Sequence, residues 1–106
     1  MSRRFMRLIV LFDLPMTTKK EVNAYTNFRK FLLKNGFIMM QQSVYCRLVV
    51  NSNSAKLMRE QIQKNLPKNG LIQLMQITEK QYCDIEYLLG KSQSNIIESM
   101  DRVIEI

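Results

Sequence analysis

Asp13 is the residue of this sequence whose type and position best suit chemistry. It follows the run FMRLIVLF at residues 5–12, which predicts a central strand buried on both faces. A carboxylate at the end of such a strand can hold a hard divalent metal ion, and two copies of the chain across a dimer axis could share one ion. The alternative is that Asp13 only caps the turn at Leu14 and Pro15.

The absence of histidine narrows the possible chemistry. None of the 106 residues is His, which excludes Ser-His-Asp triads, Cys-His dyads, a histidine general base and every histidine-ligated metal site. Cys46 and Cys83 form no C-x-x-C pair and cannot hold a tetrahedral zinc ion alone, so we expect both thiols to be reduced and buried. Catalysis must therefore use carboxylates, an oxygen-ligated metal, or Lys, Arg, Tyr, Ser and Cys.

The other acidic residues add little to a metal site. Glu21 is better explained by helix capping, and Asp84 and Glu86 would share a face only in an extended segment. One chain therefore offers one good ligand, which by itself is weak support for a nuclease.

The charge of the chain predicts an anionic partner. Sixteen Lys and Arg against nine Asp and Glu give a net charge of +7, which favours a nucleic-acid backbone over a generic solvated surface. No basic amphipathic helix with bulky aromatics and no membrane-spanning run is present, so we expect a cytoplasmic protein with no membrane partner.

Several basic residues lie outside the apolar stripe of the first predicted helix. Lys19, Lys20 and Lys30 therefore suit phosphate contacts, which would make binding salt-dependent and indifferent to sequence. The alternative for any single residue is that its long stem only covers apolar surface.

Periodicity predicts alternating strands and helices. Thr18 and Glu21 form a capping box that starts the first helix, Val22, Tyr25, Phe28 and Leu32 give its apolar face, and Asn35-Gly36 ends it. The second helix has Ala55, Met58, Ile62 and Leu66 at helical spacing. The predicted strands are residues 5–12, 37–42, 43–50, 71–78, a short strand at 85–89 ended by Gly90, and a last strand at 102–106, with a short helical turn after Thr78 and a loose segment at 91–95.

This order predicts an α+β, ferredoxin-like β-α-β-β-α-β domain with an antiparallel sheet and both helices on one face. We expect the domain to span residues 1–90 and a C-terminal extension with the appended strand to span residues 91–106. The other sheet face would be uncovered in a monomer, and its apolar residues predict that a second copy of the chain or another protein covers it. The RNA-recognition module of similar fold is excluded because residues 43–50 lack its glycine signature.

Four segments together resemble a known family. They are residues 6–15 (MRLIVLFDLP), 28–32 (FRKFL) with Gly36-Phe37, 42–45 (QSVY), and 78–81 (TEKQ) leading to Gly90. The chain resembles the second CRISPR-associated adaptation protein family, the small nuclease-like partner of the CRISPR integrase, in the form found beside Cas nine-type (type II-A) systems. The likeness covers nearly the whole chain.

The resemblance implies a homodimer whose sheets pack face to face, with the C-terminal strand crossing to the partner's sheet. It implies that Asp13 is a magnesium ligand for hydrolysis of single-stranded RNA or duplex DNA. It also implies that the dimer bridges two integrase dimers and that its basic edges hold the duplex DNA of the incoming spacer. The candidates for that backbone contact are Arg3, Arg4, Lys19, Lys20 and Arg47.

Two functions of different classes therefore compete. One is a metal-dependent endonuclease that uses Asp13, and the other is a non-catalytic scaffold that grips duplex DNA. The residues alone favour the scaffold, because one strong carboxylate accompanies a distributed positive surface. A small regulatory domain that binds a metabolite is a third reading, which no glycine-rich phosphate loop supports.

Overall fold

Seven elements follow one another along residues 5–91, the part of the chain that the computed structural model describes. They are β1 (Met6–Asp13), α1 (Lys19–Lys34), β2 (Ile38–Gln41), β3 (Val44–Val49), α2 (Ser52–Gln63), β4 (Leu71–Thr78) and the short α3 (Glu79–Cys83). The strands form one antiparallel sheet in the order β2-β3-β1-β4. This confirms the predicted ferredoxin-like α+β arrangement with the apolar run at its centre.

The core lies between one sheet face and the two long helices. Alternation along β1 directs Leu8, Val10 and Phe12 to this side, where all three are buried. The ring of Phe12 lies 5.3 Å from that of Phe28 on α1 and 5.7 Å from that of Tyr45 on β3. The remaining buried members of this core are Leu14, Leu32, Phe37, Val49, Ala55, Met58 and Ile62. Burying these side chains is the main source of the fold's stability.

The predicted helix signals at both ends of α1 are confirmed. The Thr18 hydroxyl accepts a hydrogen bond from the Glu21 amide at 3.1 Å, while Glu21 Oε1 accepts from the Thr18 amide at 3.0 Å. Asn35 caps the other end, and Gly36 follows with φ +86°, a conformation that glycine adopts without strain. The capping box predicted at Thr78 is also present, at the start of α3.

Four sequence-based predictions need correction. Val22 on α1 is 40% exposed rather than buried, and Leu66 lies beyond the end of α2 with 48% of its surface exposed. Residues 85–89 form no strand, because no strand among residues 5–91 pairs with them, and Leu88 and Leu89 are almost fully exposed. Cys46 is buried as expected, but Cys83 is exposed.

The predicted last strand at 102–106 and most of the segment 91–95 lie outside the described residues. The division into residues 1–90 and 91–106 stays a prediction. No helix within residues 5–91 is long and apolar enough to cross a membrane.

The sequence led us to expect that the sheet face opposite α1 and α2 is uncovered, but α3 covers part of it. At its Arg7 end α3 packs against the sheet, and the guanidinium carbon of Arg7 lies 4.0 Å from the centre of the Tyr82 ring. Ile9 and Cys46 are buried on this face. Towards the Asp13 end, however, Leu71 is 55% and Met75 is 47% exposed. We call the uncovered part of this sheet face the open face. It is formed by Leu11, Asp13, Val44, Leu71, Gln73 and Met75, together with Leu48 of β3, which is exposed level with Arg7 at the other end of β1.

Candidate active site and nucleic-acid interface

Asp13 is the last residue of β1 and is exposed at the edge of the open face. It pairs with Leu71 of β4, so neighbouring strands fix the backbone that carries its carboxylate. Beyond the Leu14–Pro15 turn, the backbone amides of Thr17 and Thr18 both donate to Glu21 Oε1 at 3.0 Å. Glu21 therefore provides the cap, and no partner among residues 5–91 occupies the carboxylate of Asp13, which can bind a cation or substrate.

Gly70 holds the backbone at Asp13 in place. Gly70 has a φ of +111°, which glycine adopts without strain. A Cβ atom at this position would lie 2.9 Å from the Asp13 carbonyl oxygen and 2.6 Å from Leu14 Cδ2. Only a residue without a side chain permits this approach. The loop before β4 thus fixes the position of the candidate catalytic residue.

A metal ion fits this site only if more than one molecule supplies its ligands. Among residues 5–91 no three acidic or cysteine side chains lie close enough together to hold a metal. Asp13 is a single, exposed carboxylate, the oxygen donor that Mg²⁺ prefers, but Mg²⁺ is usually bound by one or two carboxylates together with water and phosphate oxygens. One chain therefore supplies one ligand, which is compatible with an ion whose coordination is completed by a second copy of the chain and a phosphate.

A second polar cluster lies about 20 Å away, at the other end of β1. Arg7 Nε and Nη2 donate to the two carboxylate oxygens of Glu79 at 2.8 and 3.1 Å, and Arg7 Nη1 lies 3.9 Å from Cys46 Sγ. The hydrogen bonds from Arg7 lower the pKa of Glu79, and those to Glu79 raise the pKa of Arg7. Both groups therefore stay charged across the neutral range.

This cluster is structural rather than nucleophilic. Burial raises the pKa of the Cys46 thiol and of the Tyr82 phenol, so both stay protonated near neutral pH. Arg7, which belongs to the basic residues of the first strand, is thus occupied by Glu79. Sequence reasoning missed this pair, although the Thr78 capping box at the start of α3 already indicated where Glu79 would lie.

The predicted nucleic-acid contacts fall in different places. Lys19 and Lys20 are exposed in the first turn of α1, at the same end of the molecule as Asp13. Within residues 5–91 neither lysine forms an ion pair. The sheet and α1 thus bring a free carboxylate and two free cations to one end of the domain. Arg3 and Arg4 lie outside the described residues.

Arg47 does not lie with these lysines. It sits on the helix side of β3, is only partly exposed, and its Nη1 lies 2.7 Å from Met58 Sδ on α2. Its register partner on β1 is Leu8, near the opposite end from Asp13. A phosphate bound by Lys19 and Lys20 is therefore distant from Arg47, which would have to contact another part of the backbone.

Comparison with known proteins identifies the same family as the motifs. A family model described as CRISPR associated protein Cas2 matches residues 6–85. The CRISPR-associated endoribonuclease Cas2 of Ligilactobacillus salivarius is 46% identical over 99 residues, which are 93% of this chain and 98% of the relative. Those of Treponema denticola and Streptococcus mutans serotype c (strain UA159) are 41% and 43% identical over 99 residues, covering 93% of this chain and 98% and 91% of the relatives.

A solved structure has the same fold. The crystal structure of a Cas2 protein aligns with a TM-score of 0.58 at 18% identity, covering 85% of this chain and 92% of that one.

Proposed function

The chain belongs to the CRISPR-associated Cas2 family, and on that premise we propose that it is a metal-dependent endonuclease of CRISPR adaptation that works through Asp13. The observation that carries the proposal is the free carboxylate of Asp13, fixed at the end of the central strand and exposed on the open face. Relatives that share more than 40% of its residues are named endoribonucleases. We therefore propose single-stranded RNA as the substrate for hydrolysis.

The active unit that we propose is a homodimer formed through the open face. Leu48, Leu71 and Met75 expose 39%, 55% and 47% of their surface there, and apolar area of this kind gains stability when a second copy covers it. The two Asp13 carboxylates would then approach each other across the axis. A C-terminal strand that crosses to the partner's sheet is part of the same proposal.

Such a pair of carboxylates would hold Mg²⁺ or another hard divalent cation, which supplies charge stabilisation at the phosphate and a bound water of lowered pKa. The chain's own contribution is position and charge. The β1–β4 pairing fixes Asp13, and Lys19 and Lys20 hold phosphates at the same end of the domain.

A second function is supported by the charge of the chain. Each chain carries +7, so a dimer carries 7 + 7 = +14, and exposed cations such as Lys19 and Lys20 suit the backbone of duplex DNA. We propose that the dimer also holds the duplex of the incoming spacer and bridges two dimers of the CRISPR integrase, in a type II-A system. Gripping and cleavage are compatible, because the lysines and Asp13 are separate groups.

The variant Asp13→Ala separates the two functions. Cleavage of single-stranded RNA by the purified protein and acquisition of new spacers in cells are measured side by side. Lost cleavage with intact acquisition shows that acquisition does not need catalysis, whereas loss of both in a folded dimer contradicts a function as a scaffold alone. Unchanged cleavage contradicts the role of Asp13.

Sedimentation tests the dimer. Met75→Asp places a charge on the open face and is expected to give monomers, whereas Leu57→Asp, on α2 at a position 55% exposed against 47% for Met75, is expected to leave the dimer intact. A wild-type monomer at micromolar concentration would contradict the dimer.

A further inference from the structure

The helix side of the molecule contains a cleft at the Asp13 end. It lies between α1 and the loop from α2 to β4, and its volume is about 500 Å³. Its apolar lining includes Phe28 and Phe31 of α1, Pro15, and Leu66 and Pro67 of the loop. Aromatic and proline rings therefore line a cavity within the size range of small-molecule sites.

Three asparagine amides also line this cleft. Asn65 Nδ2 donates to the Gln61 carbonyl oxygen at 2.8 Å, and no donor within residues 5–91 occupies its Oδ1 atom. Asn27 and Asn69 are exposed. Each primary amide carries both donors and an acceptor, the combination that pairs with the edges of nucleic-acid bases.

Two cations border the same cavity. Lys20 comes from α1 and Lys68 from the loop, both are exposed, and in the described part of the chain neither is in an ion pair. Glu21 is the acidic residue in the lining, and its Oε1 already accepts two hydrogen bonds from Thr17 and Thr18. The border of the cleft thus attracts phosphate.

The cleft adjoins the candidate catalytic residue through the chain itself. Leu14 lines the cleft and directly follows Asp13, so their Cα atoms are about 3.8 Å apart. The Asp13 side chain lies on the open face and Leu14 is buried on the helix side. A single strand that crosses the end of β1 could place one nucleotide in the cleft and the next phosphodiester near Asp13.

We propose that this cleft binds one unpaired nucleotide of a single-stranded nucleic acid, its base against Phe31, Leu66 and Pro67 and its phosphates beside Lys20 and Lys68. The inference rests on the proposed nuclease function and assigns its single-stranded substrate a binding subsite. An acidic peptide would match the charge of the lysines and the apolar walls, but its recognition would not need the hydrogen-bonding groups of the three amides. The amides favour a base.

Binding without cleavage tests the cleft. Affinity is measured in EDTA for a single-stranded RNA of about ten nucleotides and for a duplex DNA, so that the result does not depend on hydrolysis. Leu66→Glu places a carboxylate in the cleft, and Leu57→Glu makes the same change at an exposed site on α2 outside it. Lys68→Glu is paired in the same way with Lys56→Glu.

The cleft variants are expected to bind the RNA about 10-fold more weakly than their controls, with duplex affinity changed much less. Equal RNA binding by Leu66→Glu and Leu57→Glu would overturn the proposal. A competition experiment could also overturn the proposal. It would do so if an acidic, leucine-containing peptide displaced the RNA from proteins that keep Leu66 but not from Leu66→Glu, while uridine monophosphate did not displace it. Wild-type protein that binds the RNA in the cleft but fails to cleave it with Mg²⁺ would contradict the nuclease function and leave the cleft assignment standing.

Discussion

Arg7 and Glu79 are 72 residues apart in sequence, yet two nitrogens of the guanidinium meet both oxygens of the carboxylate, at 2.8 and 3.1 Å. This bidentate pair fastens α3 to the first strand and covers one end of the sheet face that lacks the long helices. The Asp13 end of the same strand stays exposed. The pair therefore determines which part of this face is available to a partner or a substrate.

Glu79→Gln is expected to destabilise the domain. The substitution leaves Arg7, whose side chain is 17% exposed, without its charged partner, and we expect a loss of about 1–2 kcal/mol after allowing for solvent at Glu79, which is 33% exposed. The free energy of unfolding in urea measures this loss. Lys80→Gln is the control, because Lys80 and Asp84 form a pair that is 84% and 66% exposed. Equal losses in the two variants would show that the Arg7 pair does not fasten α3.

The contribution of Glu79 is expected to depend on pH. Its pKa is lowered from the ordinary 4.5 by the hydrogen bonds from Arg7, so the folded state binds a proton less readily than the unfolded state. The stability difference between wild type and Glu79→Gln should be complete above pH 4.5 and shrink as the pH falls through the lower pKa of the folded state. Urea unfolding at a series of pH values measures it. A difference that grows on acidification would contradict this assignment.

Local signals predicted much of this fold and less of its site. Local motifs were sufficient to place several features, because each of these acts over only a few residues. They are the capping boxes at Thr18 and Thr78, the helix end at Asn35-Gly36 and the apolar run before Asp13. The Arg7–Glu79 pair and the position of Arg47 beneath α2 depend on tertiary contacts between distant segments. No spacing in the sequence encodes those contacts.

The failed strand at residues 85–89 has a related cause. Its apolar residues, ended by Gly90, suit a short strand, but a strand also needs a neighbour for its backbone hydrogen bonds, and none is present among residues 5–91. The cleft was missed because its lining comes from α1 and from the loop before β4, and because Leu66 continues the apolar stripe of α2 beyond the end of the helix.

Gly70→Ala is expected to destabilise the end of β1. The new methyl group would meet Leu14 Cδ2 at 2.6 Å and the Asp13 carbonyl oxygen at 2.9 Å at a φ that alanine avoids, for a cost of about 1–3 kcal/mol. Gly90→Ala is the matched control. The φ of Gly90 is also positive, at +85°, but a new methyl group there would meet no atom within 4 Å. Thermal unfolding compares the two. A larger loss for Gly90→Ala would contradict the close packing at Asp13.

Lys19→Glu combined with Lys20→Glu is expected to weaken binding of duplex DNA. The change lowers the net charge from +7 to 7 − 4 = +3, and the loss of two phosphate contacts should reduce the slope of log affinity against log salt by about 2. Binding is measured over a range of salt concentrations. Lys34→Glu with Lys56→Glu makes the same charge change elsewhere on the helices. If both double variants bind equally, the two lysines at the start of α1 make no specific contact.

Cleavage of single-stranded RNA by the purified dimer in Mg²⁺ tests the central claim most directly, with wild type, Asp13→Asn and Glu60→Gln compared at equal concentration. Asp13 is exposed, so the substitution should leave unfolding unchanged while the cleavage rate falls at least about 100-fold. Glu60→Gln, which neutralises an exposed carboxylate on α2, should cleave as wild type does. An Asp13→Asn protein that keeps the wild-type rate would contradict the assignment of this carboxylate as the catalytic group.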